Sequence, residues 1–185
     1  MKSPGKNRCH QTGALLVEVL VSIGLLSFGV LALGVMLSFA VQMPKLSGYR
    51  ATATSLASSH IERIRANPVG FNSGAYNLAL SYDGTSSNVG LVDCNYPDCT
   101  AASLATMDNA ATMRAARIQL PAGGMLVKCD PSPCRNHSYG NLWIFWQEPI
   151  SRATLDPSTS DNCPAQVTNT YTNPRPRCLY VRFQT

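Results

Sequence analysis

Histidine, charge and phosphate-holding glycine patterns are all scarce in this chain. Only 3 of its 185 residues are histidine, and its 10 acids are scattered singly. No Ser-centred elbow and no phosphate-cradling glycine loop occurs. A nucleophile, its base and an orienting group have little material from which to be built, so no catalytic residue, cofactor or enzymatic activity is expected. Zinc is not expected either. Cys94 and Cys99, like Cys129 and Cys134, are separated by four residues rather than the two of structural zinc sites, and His137 is the only histidine nearby. Charged residues make up 14% of the chain and apolar ones 45%, which excludes a disordered polymer and leaves ample material for a core. Its 12 prolines and 13 glycines exclude a long coiled coil. Net charge is +5, but Lys2, Lys6 and Arg8 supply three of those charges in a leader that holds no acid. A basic surface that dominates nucleic-acid binding is therefore not expected.

What is present is one long apolar run. From Val19 to Val41 there are 23 residues without a charge. As a helix the run is ~35 Å long, enough to cross a hydrocarbon layer of ~30 Å. A secretory signal would have the same basic start, but its apolar region is only ~7–15 residues. The basic residues ahead of the run favour a cytoplasmic N-terminus, which sends everything after about Pro44 across the membrane. Cys9 has no apolar segment before it, so it is not a lipoprotein signal. Two residues are unexplained by a plain anchor: Gly13, at the junction of leader and run, and Glu18, an ionisable group at the entrance to hydrocarbon. An unpaired acid there is costly, which calls for a partner.

The segment Gly13-Ala14-Leu15-Leu16-Val17-Glu18-Val19-Leu20-Val21 resembles the class III signal of type IV prepilins and type II secretion pseudopilins. That resemblance implies cleavage between Gly13 and Ala14 by a prepilin peptidase, N-methylation of Ala14, and Glu18 as the family's conserved acid. Ala14 stands where the family usually has Phe or Met. Independently of the family, the freed amine of Ala14 can be set against the Glu18 carboxylate of a neighbour packed one step along a filament. Each then neutralises a charge stranded among apolar helices.

Beyond Pro44 the apolar pattern resumes. Leu46, Tyr49, Ala53, Leu56, Ala57, His60, Ile61 and Ile64 form one stripe, with Thr52, Ser55, Ser58, Ser59, Glu62, Arg63 and Arg65 opposite. The stripe is a packing face, His60 on its edge is semi-buried, and Asn67-Pro68 with Gly70 supplies a stop. Residues 68 to 103 read as a long loop with one short strand around Tyr76 to Tyr82. A short helix is expected from Ala102 to Arg117, then a turn at Pro121-Ala122-Gly123-Gly124. Strands are expected at Met125 to Cys129, Leu142 to Glu148 and Cys178 to Gln184. The fold class is α+β: a long N-terminal helix on a small antiparallel sheet with long loops, laid out like a type IV pilin. The organisation is a leader at 1–13, a membrane or filament-core helix at 14–43, its amphipathic continuation at 44–67 and a globular head at 68–185.

The Tyr49 to Ala53 stretch, Glu62-Arg63-Ile64-Arg65-Ala66-Asn67, Leu120-Pro121-Ala122-Gly123-Gly124 and Trp143-Ile144-Phe145-Trp146 resemble minor pilins of the PilV type. The resemblance implies an inner-membrane protein that joins other minor pilins, the major pilin and an adhesin-like tip partner. It would prime or cap a pilus at the cell surface, serving twitching motility and adhesion. Two alternatives stay open. One is a minor pseudopilin of a type II secretion system. The other is a pilin whose Arg175, Arg177, Tyr180 and Arg182 capture DNA or a surface ligand. The exported side holds six cysteines, Cys94, Cys99, Cys129, Cys134, Cys163 and Cys178, in an oxidising compartment that favours disulfides. Of fifteen connectivities, neighbour pairing is expected, because each pair flanks a turn-forming or Pro-containing segment. The two short loops would contribute about 2 kcal/mol each and the longer about 3 kcal/mol. The Asn136-His137-Ser138 sequon reads as accidental.

Overall fold

The computed structural model describes residues 12–95, 97–148, 161–172 and 175–185. The chain forms two compact units, Met1–Lys45 and Leu46–Thr185. Helix α1, Thr12–Ala66, supplies all of the first unit's described residues and enters the second. Pro44 lies inside it, one residue from the division between the units, at a position where the helical N–H is missing.

The first unit holds the stretch Leu16–Ser38, long and apolar enough to cross a membrane, with none of it buried. Two of its serine hydroxyls bond within the helix. Ser22 Oγ donates to the Glu18 carbonyl at 2.7 Å, and Ser27 Oγ to that of Ile23 at 2.8 Å. Back-bonding of this kind lets serine sit in hydrocarbon without an orphan donor.

In the second unit the stripe on α1 is buried as its spacing predicts: Ala53, Leu56, Ala57, His60, Ile61 and Ile64 are all inside. His60 departs from expectation, being fully covered rather than semi-buried. The helix stops at Ala66 because Asn67, at φ −128° and ψ 64°, leaves the helical region and caps a new one, α2 (Pro68–Asn72), by accepting from Gly70 N. Pro at the first position of α2 removes a donor that would be orphaned there anyway.

Helix α3, Ala101–Gln119, starts at a capping box in which Thr100 and Ser103 satisfy each other's backbone donors. The chain then turns through Pro121–Gly124 into β1 (Gly124–Asp130), followed by β2 (Tyr139–Trp146), α4 (Ala165–Thr170) and β3 (Arg177–Gln184). The sheet is antiparallel in the order β1-β2-β3, with Leu126 opposite Trp143 and Trp143 opposite Tyr180. Together with the Leu16–Ser38 helix this is an α+β chain carrying a small three-stranded sheet.

Alternation divides the sheet's side chains between two cores. Met125, Val127, Leu142, Ile144, Trp146 and Phe183 join the α1 stripe, with Ala105 and Ala116 of α3. Leu126, Phe145 and Cys178 join Tyr82 and Val167 of α4, with Trp143 packed alongside. The segment expected as a strand at Tyr76 to Tyr82 makes only a bridge, Leu78 to Val127, and one further backbone bond, Ser81 N to the Met125 carbonyl at 3.1 Å; side chains make other bonds to β1. Asn77 Oδ1 accepts from Cys129 N at 3.0 Å, and Ser81 Oγ accepts from Met125 N at 2.8 Å. Side chains that occupy β1's backbone donors prevent a regular ladder there.

Candidate functional site

In the first unit, Glu18 is the one ionisable residue between Thr12 and Pro44. It is exposed, and its carboxylate has no hydrogen-bond or ion-pair partner among the described residues. A bare carboxylate at the start of a 23-residue apolar span is an unmet electrostatic demand. The Gly13–Ala14 peptide lies in the first turn of α1, four residues ahead of Glu18. Lys2, Lys6, Arg8 and Cys9 of the expected leader lie outside the described residues.

In the second unit the structure joins Cys94 to Cys99, Cys129 to Cys134 and Cys163 to Cys178, with Cα–Cα distances of 5.2, 5.5 and 5.4 Å. These lie within the range a disulfide spans without backbone distortion. The Cys129–Cys134 bridge closes the β1–β2 connection, and Asn77 Nδ2 donates to Cys134 Sγ at 3.2 Å. The Cys163–Cys178 bridge ties the segment before α4 to β3.

The four C-terminal residues read as a cationic-aromatic cluster are not brought together as one open surface. Arg177 is buried, its Nε 2.9 Å from Asp161 Oδ2 and 3.7 Å from Glu148 Oε1. Arg182 lies over the Tyr139 ring at 4.2 Å and 3.4 Å from Asp130 Oδ2. Tyr180 stacks on Trp143 and donates to Asn141 Oδ1 at 2.7 Å. Of the three arginines only Arg175 is exposed without such contacts among the described residues. Alternation along β3 is the reason: 177 and 182 cannot share a face with one another.

Two polar assemblies were not visible in the sequence. In one, Tyr76 Oη donates to Asp108 Oδ2 at 2.7 Å, Arg63 Nη1 stands 3.6 Å from Asp108 Oδ1, and Asn67 Nδ2 reaches the Ala101 carbonyl at 2.7 Å. His60 sits beside it, Nδ1 2.9 Å from Thr112 Oγ1 and its ring edge-on to Tyr76. Burial, reinforced by the Arg63 charge, pushes the His60 pKa down to about 4, so the ring is neutral near neutrality. Burial first, then the bond to Asp108, pushes the Tyr76 hydroxyl up. In the other assembly the buried Arg117 guanidinium binds the Ser81 carbonyl at 2.6 Å, the Thr85 carbonyl, and Asp83 Oδ1 at 2.6 Å. The Arg117 hydrogen bond holds the Asp83 carboxyl well below the usual carboxylate range. Their partners lie more than 30 residues apart in the chain, and residue periodicity carries no signal over that distance.

His137 is exposed, at φ 69°. No group of three or more His, Cys, Asp or Glu that could hold a metal occurs among the described residues. Compared with models of known families, with curated proteins and with solved structures, the chain matches none.

Proposed function

We propose that this chain is a minor pilin of a type IV pilus. Its apolar helix enters a helical bundle and its disulfide-stitched head contacts other minor pilins. The observation that carries the reading is the exposed 23-residue apolar span with one carboxylate, Glu18, that has no partner among the described residues and lies four residues from the Gly13–Ala14 junction. Cleavage there by a prepilin peptidase releases a positive amine on Ala14. In an assembled filament that amine meets the Glu18 carboxylate of an adjoining protomer, and pairing removes the cost of carrying either charge into an apolar stack. Until assembly, the span holds the protein in the inner membrane with the head in the periplasm, where three disulfides are chemically at home. The neighbours implied are the major pilin, other minor pilins and an adhesin-like tip protein.

The DNA-capturing alternative loses its main support, since Arg177 is buried among two carboxylates and Arg182 is engaged by Asp130 and Tyr139. A pseudopilin of a secretion system has the same helix chemistry and is separated by deletion: loss of exported enzymes with normal pili would overturn the pilus reading.

The molecular test pairs two variants. Gly13→Val should block maturation, leaving the chain about 1.4 kDa heavier by mass spectrometry, the leader's mass at ~110 Da per residue. Glu18→Ala should mature normally but fail to enter sheared filaments. Normal incorporation of the Glu18→Ala protein would refute the charge-pairing mechanism.

A further inference from the structure

The geometry points to a binding site for one neutral sugar residue in a polar pocket of about 300 Å³ between the Tyr82–Gly84 turn and the end of α4. Its walls are Tyr82, Asp83, Gln147, Thr170, Tyr171 and Thr172, with the Gly84 backbone. The volume is at the low end of small-molecule sites, ~300–1,000 Å³, and suits one saccharide ring rather than an extended peptide.

The lining has the chemistry that a ring of vicinal hydroxyls requires. Asp83 Oδ1 is saturated by Arg117 and by Thr85 N and Oγ1, at 2.6, 2.8 and 2.8 Å. Among the described residues Asp83 Oδ2 has only a 3.5 Å contact from Ser87 Oγ, leaving acceptor capacity on a group that the Arg117 tie fixes in place. Gln147 is positioned by its backbone N–H to the Pro121 carbonyl at 2.8 Å, and neither its amide nor the Thr172 hydroxyl has a partner among the described residues. Tyr82 is 3% exposed and packs its ring into the core cluster with Phe145 and Val167. Tyr171, held by its own hydroxyl on the Tyr82 carbonyl at 3.3 Å, offers an aromatic wall to the apolar C–H face of a sugar. Among the described lining residues the one charge is negative, so an acidic saccharide is disfavoured. A simple cation is poorly served too, because Arg117 already neutralises Asp83. This site is independent of the filament reading and would stand without it.

The experiment is saturation-transfer difference NMR on the full chain in phosphocholine micelles, a detergent without a sugar headgroup. The probes are the methyl glycosides of glucose, galactose, mannose and N-acetylglucosamine, with N-acetylneuraminic acid as the acidic comparison. At least one neutral glycoside should receive saturation on its ring protons and the acidic sugar should not. Gln147→Leu and Thr172→Val should each weaken binding about 5-fold, one hydrogen bond's worth. Thr172→Ser, which keeps the hydroxyl, should restore it. Thr172 is exposed, so this pair carries the test even if Gln147→Leu disturbs β2. No transfer to any neutral glycoside, equal binding by Thr172→Val, or equal binding of the acidic sugar would each overturn the assignment.

Discussion

Burial gives the His60 ring a pKa of about 4 against 6.5 in an unfolded chain, and that difference makes one side chain a sensor of folding. The groups around it are Thr112 at Nδ1, the Tyr76 ring, and Arg63, which itself faces Asp108. None of them offers a negative charge directly to the ring. The unfolded chain takes up a proton on His60 as pH falls below 6.5 and the folded one does not until about 4. Stability should therefore be constant in this respect above 6.5, drain away between 6.5 and 4 by roughly 3 kcal/mol, and lose nothing more to this residue below that. Urea titrations of the wild type and His60→Gln across that window should show the slope in the first and a flatter dependence in the second. Asp83 runs the same way but lower on the pH axis: a carboxyl depressed by Arg117 stabilises above the ordinary carboxylate range and its contribution is lost only in stronger acid, so the two effects follow one another as pH falls. That His60 lies on a stripe was legible from its spacing. Its complete burial was not, because Thr112, which covers Nδ1, is 52 residues away.

Among the elements, the turn from α3 into β1 tolerates no side chain at Gly123 or Gly124. A Cβ on Gly123 would collide with the Ala116 carbonyl, which is backbone and cannot swing aside, whereas a Cβ on Gly90 would meet nothing within 4 Å. Gly123→Ala should destabilise the head by on the order of 3 kcal/mol, and Gly90→Ala should be nearly silent, as read from denaturation midpoints. The strands, α3 and the buried half of α1 were readable because alternation and three-and-four spacing are local properties of the chain. What escaped was α2, α4 and the true nature of 76–82. The first two are 5 and 6 residues long, too short to show periodicity, and each is set by tertiary context. Asn67, for example, caps α2 while also holding the Ala101 carbonyl. Residues 76–82 looked like a strand by composition, but Asn77 and Ser81 bond to β1 through their side chains. The spacing of Glu18 from Gly13 is a property of the sequence alone, to which the structure adds only the helix that carries both; the Arg117–Asp83 tie that shapes the sugar pocket was not legible, being a contact between residues 34 apart.

At the scale of the whole molecule, the division at Lys45 separates a piece with nothing buried along its apolar span from one that holds both cores and all three disulfides. Residues 46–185, produced in an oxidising compartment, should fold alone and remain in the aqueous phase of a Triton X-114 separation, while the full chain enters the detergent. A fragment that aggregates, or that melts without cooperativity by near-ultraviolet circular dichroism, would show that the head depends on the helix ahead of it. Within the head, Arg117 fastens the backbone at 81–85 and the Cys94–Cys99 bridge fastens it again farther on, while most of residues 86–93 between them are exposed. A stretch pinned at both ends can lengthen at little thermodynamic expense, about 0.6 kcal/mol for each doubling. That makes it the natural place for related chains to differ in length and for an epitope to be spliced in without unseating the sheet.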